Sequence, residues 1–441
     1  MPATNEIPMS ANLKWAELSV DFLSIFKALL VMNILLRIIS AVCLLLFSPT
    51  LFSQNAVSVK LLVDPGSISY PVIVNNSSRA KIDNQHFELF LIDGNQKMKV
   101  PFQVLDTSKL TWIVPANSST SPVQKEYLFE KVQKVYASSN TLITVDDGQS
   151  LIIKSGANEL LQYNYRLVYP PKGVDTIFKR SGFIHPLRSA SGSILTQIFP
   201  EDHYHHFGLW NPWAKVTVEQ DTIDFWNLNR KQGTVRHHQT ISSFDGPVAA
   251  GFTAQLNHVV TKAGKPELTA IREELTITAF HPQPNIWVMD MKSSLEPAPA
   301  IDVVLKMYTY GGLGFRATAE WNNQNSSVLS SEGYTRKDAD STRARWCLVS
   351  GDTKKGHSGL LFMSHPTNFN HPEPIRVWPE NIYNRGDLFF SFSPIKTSDW
   401  KLNPQSQNKL SYRIVIFDGK ISAKEVELLW QQFAHPKMII H

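Results

Sequence analysis

The chain has 441 residues, enough for one large domain or a large domain beside a small one. Its formal net charge is +5 with no run of lysine and arginine, which excludes a nucleic-acid footprint. A mildly basic chain with 11% aromatic residues is compatible with an acidic small-molecule or oligosaccharide partner.

Residues 22–47 are largely apolar but carry Lys27 and Arg37, which a spanning helix tolerates poorly at its centre. Read from Met32, a short basic region ends in Arg37, an apolar core covers 38–47, and a polar boundary follows at Ser53 and Gln54. That layout predicts a signal peptide over 1–53, with Met32 as an alternative start. It implies a periplasmic protein without a stable membrane span after processing; a single uncleaved anchor is the alternative. Cys43 falls inside the leader, so the processed chain keeps only Cys347 and has no intrachain disulfide.

Beyond the leader the texture is β. Runs at 57–63, 87–92, 141–145 and 151–153 alternate or cluster β-branched residues, punctuated by Pro65-Gly66, Asp93-Gly94 and Asp147-Gly148. The polar stretch Ser155-Gly156-Ala157-Asn158-Glu159 suggests a boundary between a small β domain over 54–155 and a larger one over 160–441. Further strands are expected at 213–218, 269–279, 286–293, 301–308, 359–363, 388–392 and 410–417. One helix is predicted. Ser422 and Glu425 form a capping box, Val426, Leu429, Trp430 and Phe433 an apolar stripe, and Pro436 a stop. The fold class is therefore all-β: a large antiparallel sandwich with a small N-terminal β domain and a C-terminal helix.

The segment from Phe199 to Trp210 carries the densest chemistry. His203, His205 and His206 stand beside Asp202 and precede Gly208 and Trp210. In an extended segment His203 and His205 would share one face, with His206 and Tyr204 on the other. Upstream lie His185 and Arg188; downstream come Trp210, Trp213, Asp224, Trp226 and the pair His237-His238. Indoles stack on the apolar face of a sugar ring while polar groups take its hydroxyls. This spacing is compatible with a divalent metal held by histidines, but no HExxH or CxxC accompanies it, and the cofactor is left open.

Four motifs together resemble the PmoA-like domain family of bacterial carbohydrate-utilisation loci: Gly182 to Ser189, Asp202 to Trp210, Tyr310 to Arg316, and Ser364 to Pro372 with Arg376 and Trp378. The resemblance covers roughly 160–440. It implies a role in carbohydrate degradation and a supersandwich like that of sugar mutarotases and several polysaccharide lyases.

The residue inventory favours elimination next to a carboxylate, on an oligosaccharide carrying uronic acid. Such a reaction needs a base for the C5 proton, neutralisation of the carboxylate and an acid for the C4 oxygen. His185, His205, His206 and Tyr310 are the candidate acid–base groups. Arg188, Arg316 and Arg376 would hold the carboxylate, with His203, Trp210, Trp213, His365 and His371 contacting the sugar. The expected activity is a carbon–oxygen lyase giving a 4,5-unsaturated uronic acid. A glycoside hydrolase or mutarotase-like epimerase using Glu201, Asp202, Asp224 or Glu320 is one alternative. A non-catalytic oligosaccharide-binding protein is another.

Overall fold

Alternation along two central strands, Ile286–Pro297 and Lys409–Asp418, sorts side chains onto two opposite faces. Trp287, Met289 and Met291 enter one core with Tyr412, Ile414 and Ile416, while Ile286 and Val288 enter another with Val415 and Phe417. A sheet buried on both faces needs covering layers on both sides, and these dictate the architecture. The computed structural model describes residues 27, 32, 56–76, 81–106, 108–133, 141–262, 264, 266–404, 408–436 and 438–440. Apart from Lys27 and Met32, the leader expected over 1–53 lies outside the described residues.

The fold is an all-β sandwich. Its central layer is an eight-stranded antiparallel sheet in the spatial order Gly233–Phe244, Ala249–Val260, Leu268–Gln283, Ile286–Pro297, Lys409–Asp418, Gly356–Ser364, Trp346–Thr353 and Ser326–Ser330. Against one face lies a nine-stranded sheet, ordered Arg343–Ala344, Glu373–Val377, Phe389–Phe392, Gly314–Arg316, Leu209–Trp210, Phe183–Leu187, Asn158–Asn164, Ser150–Ser155 and Leu142–Asp146. The core between them includes Leu209, Phe315, Phe362 and Phe390.

The other face is covered by the N-terminal strands and the C-terminal helix. Trp112, Tyr127 and Phe129 share a core with Phe280, Leu361 and Val415 and with Val426, Leu429 and Trp430 of the helix Ala423–Ala434. The predicted capping box is present: Ser422 Oγ accepts from the Glu425 amide, and Glu425 accepts from the Ser422 amide at 3.2 Å. No helix among the described residues is long and apolar enough to cross a membrane.

The residues expected as a domain boundary near 155–160 lie within a sheet. Those residues form a hairpin turn, with Asn158 opposite Ser155 and the flanking strands paired antiparallel. Leu151, Ile153, Leu160 and Leu161 are apolar because they face the main core, so this hairpin belongs to the nine-stranded sheet. Val57–His441 forms one compact unit.

A buried ion pair ties the N-terminal layer to the central sheet. Arg413 Nε and Nη2 donate to the two Asp290 oxygens at 2.7 and 2.9 Å, and Nη1 donates to the Pro71 carbonyl at 3.1 Å. Removing one partner of such a pair strands the other charge in the core. Asp290→Ala should therefore destabilise the protein by about 3–5 kcal/mol, read as a lowered midpoint in denaturant unfolding.

Candidate functional site

The outer face of the nine-stranded sheet carries a second, smaller aromatic core. Along the strand Leu209–Trp210, Leu209 faces the main core and Trp210 the outer one. Phe390 and Phe389 divide in the same way. Phe183, Phe207, Trp210, Trp226, Trp378 and Phe389 build this outer layer, and His206 lies on it. Its ring centroid is 5.5 Å from both Trp210 and Trp378 and 5.2 Å from Phe389.

The three histidines do not alternate as an extended segment would require. His203 N bonds Pro200 O and His206 N bonds His203 O, both at 2.9 Å, so the segment makes two successive turns. The turns bring the three rings together: His203 stacks on His206 at 4.7 Å, and His205 meets them edge-on at 5.3 and 4.9 Å. Gly208 then returns the chain to the sheet at a φ of 67°, where a Cβ would lie 2.5 Å from the Ile184 carbonyl. Only glycine fits there.

One buried cation organises the charge. Arg316 is 1% exposed and holds both Asp202 oxygens at 3.1 Å; its Nη2 lies 3.6 Å from Asp387, and its guanidinium sits 5.0 Å above the Trp378 ring. Asp202 Oδ2 in turn pairs with His203 Nδ1 at 2.9 Å. Burial opposes the Asp202 charge, but the His203 hydrogen bond and Arg316 outweigh it and hold the carboxyl well below the usual carboxylate range. Burial, reinforced by the neighbouring His203, lowers His205 to about 3. His206 is also driven well below its usual value, first by burial and then by His205 and Arg316. Both imidazoles are neutral at pH 7, with lone pairs available.

The sequence-predicted residues separate into two groups. His203, His205, His206, Trp210, Tyr310, Arg316 and Arg376 share the outer face, with Tyr310 joined to the others through Trp378. Its hydroxyl accepts from Arg376 Nε and from Trp378 Nε1, each at 3.3 Å. Two of these have roles other than those expected. Arg316 is saturated by carboxylates and cannot take a substrate's, and Trp210 is 1% exposed, a floor rather than a stacking platform.

The rest lie apart. Trp213 is in the main core against Trp400. His185 contacts Thr196 Oγ1 at 2.9 Å, and Arg188 lies 3.8 Å from Glu159. His365 packs on Phe433 and His371 stacks on Trp430, both at the C-terminal helix on the far side of the central sheet. Trp213, His365 and His371, expected to contact the sugar, are therefore packed away from the histidine turn. A cavity of about 420 Å³ lined by Asp106, Lys109, Glu274, Lys292 and Lys409 is also distinct from the histidine group.

Sequence reasoning missed Tyr383, Arg385 and Asp387. Tyr383 is 55% exposed, its hydroxyl lies 3.5 Å from His203 Nε2, and its φ of 49° is followed by 57° at Asn384. Consecutive left-handed non-glycine residues are strained conformations that cluster at functional sites. Arg385 Nη2 pairs with Asp387 Oδ1 at 2.6 Å. The one available signal was the turn-rich run Asn381-Ile-Tyr-Asn-Arg-Gly-Asp, too generic to single out.

Residues 150–431 match the family described as "Family of unknown function (DUF6807)". That match, with none to a PmoA-like family, overturns the resemblance read from the four motifs. No curated protein matches the chain.

A buried carboxyl beside the main core makes its own pH prediction. Glu373 accepts from Ser364 Oγ at 2.6 Å, Asn368 Nδ2 at 2.8 Å and Tyr412 Oη at 2.9 Å, yet its complete burial outweighs these bonds and raises its carboxyl from 4.5 to about 7. The proton retained on folding stabilises the protein fully below about 4.5, and that contribution is lost as the pH rises through about 7. Thermal unfolding of Glu373→Gln between about pH 4.5 and 7.5 should lack this decline, which is on the order of 3 kcal/mol in the parent protein.

Proposed function

Because the chain belongs to the family of unknown function DUF6807, no activity comes to it by descent, and we propose one from the chemistry of the site itself. We propose an exported carbohydrate-active enzyme, a carbon–oxygen lyase that eliminates across C4 and C5 of a uronic-acid unit on an acidic oligosaccharide. In that step a base removes the C5 proton, the electron pair forms the C4–C5 double bond, and the C4–O bond breaks. An acid then protonates the departing oxygen.

One observation carries the reading. Three imidazoles and the Tyr383 phenol meet at the edge of an aromatic surface, while the adjacent carboxylates, Asp202 and Asp387, are both bound by Arg316. Hydrolysis uses two carboxyl groups flanking the bond, one to protonate and one to attack or activate water. Of the other acids considered for that role, Asp224 accepts from the Trp226 and Asn227 amides and Glu320 from the Lys354 amide, and the exposed Glu201 would supply one carboxyl where hydrolysis uses two. Proton transfer by phenol and imidazole is the chemistry that remains. Tyr383 is the exposed proton-transfer group, and Arg385, with 56% of its side chain exposed, is placed to meet a substrate carboxylate.

The test is incubation with uronic-acid oligosaccharides while following the ultraviolet absorbance of the conjugated product. Tyr383→Phe should lower that rate by at least about a hundredfold while leaving oligosaccharide binding largely intact. New reducing ends without the absorbance would make the protein a hydrolase. Binding with neither product would make it a carbohydrate-binding protein.

A further inference from the structure

The histidine group has features that packing alone does not account for. One donor nitrogen from each of His203, His205 and His206 lies within 4.8 Å of the others. His206 is 2% exposed, and its buried Nδ1 meets no hydrogen-bond partner. Buried polar atoms in native proteins are nearly always satisfied, so an orphaned imidazole nitrogen beside two other imidazoles asks for a ligand.

We infer that His203, His205 and His206 form a three-nitrogen site for a borderline divalent transition ion, with Zn²⁺ the best fit. Three imidazoles suit such an ion, whereas Mg²⁺ and Ca²⁺ require oxygen donors. Asp202 occupies His203 Nδ1, which fixes the ring and leaves Nε2 as its donor. This is the carboxylate–histidine support that orients metal ligands elsewhere. Arg316 holds that carboxylate in place, with both Asp202 oxygens 3.1 Å from its guanidinium. A tetrahedral ion with bonds of about 2.0–2.1 Å needs nitrogens about 3.4 Å apart. From 4.8 Å the widest pair has to close by about 1.4 Å, a movement that ring rotation supplies. Three protein ligands leave a fourth position for water or substrate, as in catalytic rather than structural sites. The partly exposed His203 and the Tyr383 hydroxyl mark the side on which it opens.

In the elimination reading this ion supplies the electrophile that Arg316 cannot, but the site does not depend on that reading. The test uses the full chain freed of metal with a chelator and titrated with Zn²⁺ alone, by calorimetry and by metal analysis after gel filtration. About one ion per chain is expected. His203→Ala and His205→Ala should abolish retention, and Asp202→Asn should weaken affinity by about 10–100-fold. His357→Ala, whose ring pairs with Asp352, should behave as the parent. Failure of the parent to retain Zn²⁺, or equal retention by the histidine variants, overturns the inference. Should those variants not fold, Co²⁺ added to the parent decides: intense visible bands of a four-coordinate ion support the site, and the pale spectrum of a six-coordinate aqua ion rejects it. Zinc retained without any unsaturated product supports the metal site and counts against the elimination reading.

Discussion

Arg316 sits at 1% exposure with a full positive charge, so the fold around it has to supply compensation. It does so with two carboxylates and an indole face: Asp202 from the histidine turn, Asp387 from the segment after Tyr383, and Trp378 between them. These partners come from separate stretches of chain, so one guanidinium fixes the relative positions of the histidine turn and the Tyr383 segment. The same contacts explain why Arg316 is no substrate ligand. A cation surrounded by bound carboxylates positions the site, and the groups it positions carry the chemistry.

The limits of sequence reading follow from this arrangement. The helix Ala423–Ala434 was legible because capping is local: Ser422 and Glu425 are three residues apart and meet whatever the rest of the chain does. The strand Lys409–Asp418 was legible because a strand buried on both faces reads as a continuous apolar run. The strand Gly233–Phe244 was not, because it lies at a sheet edge and its second half is exposed and polar. The histidine cluster was visible as composition but not as geometry. Its shape depends on two turns, set by backbone hydrogen bonds that no side-chain period reports.

Proximity in a motif also misled. His365 and His371 seemed to belong with the other histidines by residue type, yet their neighbours are Phe433 and Trp430 on the opposite face of the central sheet. The reason is topological. The strands Gly356–Ser364 and Glu373–Val377 flank this segment and belong to different sheets, so the chain between them crosses from one layer to another. Arg376 lies beyond the crossing and reaches the outer face, where it meets Tyr310; His371 lies before its end and does not. Five positions along the chain separate a residue at the site from one at the helix.

The two faces of the sandwich thus have different duties. On one, the N-terminal strands and the helix cover the central sheet with apolar side chains and the Arg413–Asp290 pair, an arrangement that serves cohesion. On the other, the nine-stranded sheet shields the main core and turns outward a layer of Trp210, Trp226, Trp378 and Phe389. A rigid aromatic floor withdraws water from His205 and His206, which keeps these two imidazoles neutral and gives their lone pairs to whatever binds. Strain at Tyr383 has the same logic. A phenol held over the histidines by an unfavourable backbone needs a rigid base to hold it, and the buried Arg316–Asp387 contact supplies one four residues further along the chain.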